Sequence, residues 1–104
     1  MTKRSSEAHM VIGYGVLIFY LHDSRSLKAK RSVVKAIVGQ IRNHFNASVA
    51  EVGAQDVHQR AEIGFALAGS DHRLINTKMD KLVNFAEDLG LAQMIDTETE
   101  IVHM

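Results

Sequence analysis

Six cations stand in residues 25–45, namely Arg25, Lys28, Lys30, Arg31, Lys35 and Arg42, and no acid shares that stretch. Placed on a helix at 100° per residue, Lys28, Arg31, Lys35 and Arg42 recur at three, four and seven and form one stripe about 60° wide. A stripe of this kind suits a polyanion. Each lysine or arginine that meets a phosphate releases a condensed counterion, and the release drives binding. Positive charge in a first helical turn opposes the helix dipole, and no carboxylate stands at i+4 to offset it. Local rules broken without local gain point to a use elsewhere. Lys28, Arg31, Lys35 and Arg42 are therefore the candidate RNA-binding residues. The competing reading is a solvated helix face balanced through space by acids elsewhere in the chain, and on sequence alone both stay open.

A second concentration of polar groups is Gln55, Asp56, His58, Gln59 and Arg60. Asp56 and His58 have the chemistry of an acid/base pair or of two metal ligands, but no second histidine lies near and no nucleophile is evident. The expected role is a loop held by its own side-chain hydrogen bonds, with Glu51 and Arg60 pairing across a hairpin. His22, His44, His72 and His103 are scattered and give no ligand spacing. The absence of cysteine removes thiol catalysis, iron–sulfur clusters and cysteine-type zinc sites. Residues 22–26 follow the first strand, where acylphosphatases wrap a phosphate with an arginine and backbone amides. Arg25 is present, but the segment has no glycine and carries Asp23 where an anion would sit. No phosphate-binding loop, dinucleotide fingerprint or hydrolase elbow occurs. The expectation is a non-enzymatic protein with no catalytic residue, no metal and no cofactor.

The elements that must carry these residues are legible from periodicity. Residues 11–22 are β-branched and aromatic on both alternating faces and read as a central strand. Ser24 and Ser26 offer caps for a helix over 26–45, whose apolar positions Leu27, Val34, Ile37, Val38, Ile41 and Phe45 keep helical spacing. Residues 47–52 and 61–68 alternate across a polar loop and read as a hairpin. After Asp71, apolar residues from Ile75 to Leu89 mark a second helix, with Gly90 at a left-handed C-cap. Residues 94–102 close the chain as a strand with Ile95, Thr97, Thr99 and Ile101 on one side and Asp96, Glu98 and Glu100 on the other.

The order β-α-β-β-α-β predicts an α+β, ferredoxin-like domain over residues 11–104, with two helices on one face of an antiparallel sheet. At 104 residues, 46% apolar, the chain has room for one core and no second domain. Strands one and three are expected at the centre. The first strand then presents Ile12, Tyr14, Val16, Ile18 and Tyr20 on a face the helices cannot cover, which predicts a homodimer covering part of it, with a partly exposed sheet as the alternative. Asp96, Glu98 and Glu100 on an edge strand discourage further strand addition. Stacking of bases on that face is not expected, since the third strand lacks aromatic and basic residues there and the acids would repel phosphate.

Total charge is zero, with 12 basic and 12 acidic residues, yet residues 25–45 are plus six and residues 46–104, with four cations and ten acids, are minus six. Lys3 and Arg4 before an apolar run superficially suggest a secretory signal, but no paired small residues follow and eleven residues cannot span a bilayer as a helix. A cytoplasmic protein without a membrane partner is expected. Residues 1–10 read as a mobile tail or, up to His9-Met10, a cloning remnant.

Ser26-Leu27-Lys28-Ala29-Lys30-Arg31, then Phe45 to Val52, then Gln55-Asp56 and Gln59-Arg60-Ala61 together resemble the YlxP family of small bacterial proteins. The resemblance covers nearly all of residues 11–102. It implies a ferredoxin-like fold, a cytoplasmic protein, no established catalytic activity, and genes near translation factors and ribosome-binding factor A. His58 stands where the family commonly has tryptophan, and Ala54 where it has a larger ring, so an aromatic patch at the hairpin is diminished here. The functional expectation is a factor that binds ribosomal RNA or ribosomal particles through the first helix, without sequence-specific DNA binding. The alternative is a protein-interaction or small-ligand regulatory module using the open sheet face.

Overall fold

The computed structural model describes residues 8–104. Alternating and helical apolar patterns resolve into β1 (Val11–Tyr20), α1 (Leu27–His44), β2 (Ser48–Gly53), β3 (Arg60–Gly69), α2 (His72–Asp88) and β4 (Gln93–His103). The four strands form one antiparallel sheet in the order β2-β3-β1-β4, so β1 and β3 are central. This is an α+β fold with the ferredoxin-like order.

Local chemistry sets the ends. The Ser26 hydroxyl accepts from the Ala29 N–H at 3.0 Å and opens α1, while Ser24 lends its hydroxyl to the Ser26 carbonyl at 3.3 Å. Asp71 opens α2 in the same way, accepting from the Leu74 N–H at 3.0 Å. Gly90 follows α2 at φ +70, a left-handed conformation that favours glycine. The chain leaves α1 without one: Phe45 turns to extended backbone, its N–H still bonded to the Ile41 carbonyl.

Both helices bury one stripe against the same face of the sheet. Val34, Ile37 and Ile41 of α1 and Ile75, Met79, Leu82 and Ala86 of α2 close over Leu17, Phe19, Val49, Ile63, Phe65 and Leu67. The helix over β1 sits very close. A Cβ on Gly13 would lie 2.6 Å from Ile75 Cγ2 and 2.7 Å from Met79 Sδ, so only glycine admits α2 at this height.

The other face carries no helix among the described residues. Ile12, Val16 and Tyr20 are half-buried there and Tyr14 is exposed. Ile18 departs from the expectation of an uncovered stripe: it is only 6% exposed, between its cross-strand partners Glu62 and Asp96. Asp96, Glu98 and Glu100 are exposed along the edge strand β4. Of the N-terminal segment, residues 1–7 lie outside the described residues. Met10 is tied to the other terminus, its carbonyl accepting from the Met104 N–H at 2.8 Å. No helix among the described residues is long and apolar enough to cross a membrane.

Candidate nucleic-acid interface

Helix α1 divides its six-cation neighbourhood by angle. Val34, Ile37 and Ile41 face the sheet, and Lys30, four residues before Val34 and seven before Ile37, belongs to that stripe. Lys30 is 1% exposed. Its ammonium lies 3.0 Å from Glu51 Oε2 and donates to the Ala54 carbonyl. The carboxylate oxygen receives that charge without the alignment of a hydrogen bond. Sequence reasoning counted Lys30 as a cation of the segment and missed this internal role. The signal was its place on the apolar stripe, together with Glu51 two residues from buried Val49 on a strand whose inward positions alternate.

Lys28, Arg31 and Lys35 project from the far side of α1, all exposed. Neither ion pair among the described residues involves them. Arg42, also exposed, is partly engaged: its Nη2 donates to the Val49 carbonyl at 2.7 Å, tying the last turn of α1 to edge strand β2. The structure thus brings together three cations without carboxylate partners among the described residues and a fourth whose guanidinium also bonds the fold.

At the N-terminal end of α1 the β1–α1 and β2–β3 loops meet around a polar cleft lined by His22, Ser24, Arg25, Val57, His58 and Gln59. This places Arg25 next to the start of the cationic stripe, and it places Gln55, Asp56, His58 and Gln59, all exposed, on the neighbouring loop. Asp56 and His58 form no hydrogen bond with one another among the described residues. The loop is held by backbone rather than by the side-chain bonds expected: the Val57 N–H donates to the Ala54 carbonyl at 3.0 Å and the Leu21 N–H to the Gln59 carbonyl at 2.9 Å. The expected Glu51–Arg60 pair does not form. Glu51 points toward α1 and Lys30, whereas Arg60 Nε donates to Glu62 Oε2 at 2.8 Å on the opposite face.

Histidines scattered in the sequence are partly gathered by the fold. His72 Nδ1 and His103 Nε2 share a hydrogen bond at 2.7 Å, and His44 stacks on Phe85 with centroids 4.2 Å apart. No group of three metal-ligating side chains is placed to hold an ion among the described residues. What the α1 surface can do chemically is bind anions by charge at several points along one line.

Comparison with known proteins places this arrangement. A family model described as "Protein of unknown function (DUF503)" matches residues 12–99. The chain is similar to "Uncharacterized protein YlxP" of Bacillus subtilis (strain 168), with 31% identity over 90 residues, covering 86% of this chain and 98% of that one. Among solved structures, the de novo designed protein Foldit4 superposes with a TM-score of 0.46 at 12% identity over 92% of this chain and 96% of that chain, a likeness too loose to bear on function. On the family model and the relative together, the chain belongs to the DUF503 family.

Proposed function

We propose that the protein binds structured RNA, most simply ribosomal RNA within ribosomal particles, through the exposed stripe of α1. The observation that carries the reading is the trio Lys28, Arg31 and Lys35, solvent-facing on a helix without a single acidic residue and with no ion-pair partner among the described residues. Seven residues at 1.5 Å separate the first from the last, a line of about 10 Å along the helix axis. That length serves two or three successive phosphates and contains no base-reading set, so affinity comes from charge and from the shape of the RNA. Arg25 in the adjoining cleft extends the positive surface by one residue, and Arg42 contributes its charge and the donors its backbone bond leaves free.

Three phosphate contacts set the salt dependence. On a duplex the logarithm of affinity falls with the logarithm of salt at a slope of about −2.7, a loss of roughly 40-fold between 50 and 200 mM. The test is co-sedimentation with ribosomal particles across a salt series, with the Lys28→Glu/Arg31→Glu/Lys35→Glu variant in parallel. The triple reversal is expected to abolish sedimentation at low salt. Unchanged sedimentation of that variant would rule the reading out.

A further inference from the structure

We propose that the open sheet face is the contact between two copies of this chain, related by a two-fold axis that runs along the strands. The register sets the relief of this face. Reading across the sheet from β3 to β1, Ala68 stands beside Ile12, Ala66 beside Tyr14 and Gly64 beside Val16. On this face β1 is therefore a raised row and β3, from Gly64 to Ala68, a trough, which Ser48 and Ala50 of β2 continue opposite Ala66 and Gly64 and which the Glu62–Arg60 pair closes opposite Ile18 and Tyr20. The surface is an apolar groove, walled by Tyr14, Val16 and Val52 and floored by alanine and glycine. Tyr14, Val52 and Val102 are 43%, 55% and 42% exposed, large apolar side chains on a face that no helix among the described residues covers.

A row beside a trough fits a copy of itself under one of the two available rotations. With the axis along the strands, between β1 and β3, the row of each copy lies over the trough of the other: Tyr14 meets Ala66 and Val16 meets Gly64. Small opposite large is how facing layers interdigitate at the usual sheet separation of about 10 Å. With the axis across the strands, row meets row and both troughs stay empty.

Charge selects the same solution. Asp96, Glu98 and Glu100 line the β4 side of this face, and an axis across the strands would set them against their own copies. The axis along the strands lays β4 over β2, whose Ser48, Ala50 and Val52 carry no charge and whose outer edge holds the Arg42 guanidinium. Area is adequate as well. Strands of 10, 6, 10 and 11 residues at about 3.3 Å each, lying about 4.8 Å apart, make a face of roughly 590 Å², at the lower end of the ~600–1,000 Å² per partner of an ordinary specific interface.

The test is the solution mass of the full chain by sedimentation equilibrium, with circular dichroism to confirm folding of every variant. The wild type is expected at twice 11.5 kDa. Ala66→Tyr, which fills the trough, is expected to leave a folded monomer, and Tyr14→Ala to weaken association by about 30-fold or more. The double variant Tyr14→Ala/Ala66→Tyr exchanges row and trough and is expected to restore the dimer. A wild type that stays monomeric at about 100 μM, far above an ordinary specific Kd, overturns the proposal and leaves the groove to a different protein or an apolar small molecule. A dimer that survives Ala66→Tyr overturns it too. The Lys28→Glu/Arg31→Glu/Lys35→Glu variant, altered on the other side of the sheet, is expected to dimerise normally, so loss of RNA binding and loss of dimer are read apart.

Discussion

At the scale of single residues the buried ammonium of Lys30 governs the hairpin. It lies 3.0 Å from one oxygen of Glu51 as a countercharge and donates to one backbone carbonyl, that of Ala54, which sits in the left-handed region at φ 54. Removing the lysine alone leaves a carboxylate with a buried oxygen and no countercharge. Lys30→Met is expected to cost about 2–3 kcal/mol in urea denaturation, below the range for a fully buried pair because Glu51 is partly exposed. Lys30→Met/Glu51→Leu is expected to recover most of that loss, since an apolar pair of similar volume avoids both desolvation penalties. The inward position of each partner was signalled in the sequence, but their pairing was not. Lysines on an apolar stripe commonly extend their charge back to water, and the partner acid is separated by a loop whose course the sequence does not specify. The same blindness produced the mistaken Glu51–Arg60 pair: strand alternation says that Glu51 and Arg60 belong to a hairpin, but only the register, with a bulge between Glu51 and Gly53, says that they occupy opposite faces.

At the scale of elements, periodicity carried almost everything. The helix expected over 26–45 spans Leu27–His44, and the strand expected over 94–102 spans Gln93–His103. Caps were legible because their chemistry is local: a hydroxyl or carboxylate just before an apolar stripe meets an amide three residues on. Ser26→Ala is expected to cost about 1 kcal/mol by loss of the bond to Ala29, a cost visible in thermal unfolding. Close approach between elements was not legible. Gly13 is the floor beneath Ile75 and Met79, a contact that strand periodicity does not announce. Gly13→Ala is expected to destabilise by about 1–3 kcal/mol, the usual cost of overpacking, and a milder effect would mean that α2 can shift outward. Arg42 is a similar case: the wheel placed it correctly on the cationic side, but not within reach of the free edge of β2.

For the molecule as a whole, neutrality conceals a separation of charge between α1 behind the sheet and β4 at its edge. The imbalance between residues 25–45 and the rest was countable from sequence; that Lys28, Arg31 and Lys35 keep clear of the described acids while Lys30 pairs with Glu51 needed coordinates. If phosphates meet α1, the acids act on them only at long range and through screened water. Replacing Asp96, Glu98 and Glu100 with their amides is therefore expected to raise RNA affinity by about twofold at low salt while leaving the salt slope unchanged, because the slope counts contacts rather than field. A steeper slope would place RNA on the sheet side instead.

Placing both helices behind the sheet has a geometric consequence. If two sheets meet front to front, the cationic lines of the pair end up on opposite outer surfaces, roughly 30 Å apart after two helix layers and one sheet gap. Such a body does not grip one duplex from two sides. It tethers two separate duplexes, and a tether has a stoichiometric optimum: bridging between RNA segments would rise with protein, peak near one dimer per two sites, and decline in excess as every site acquires a dimer of its own.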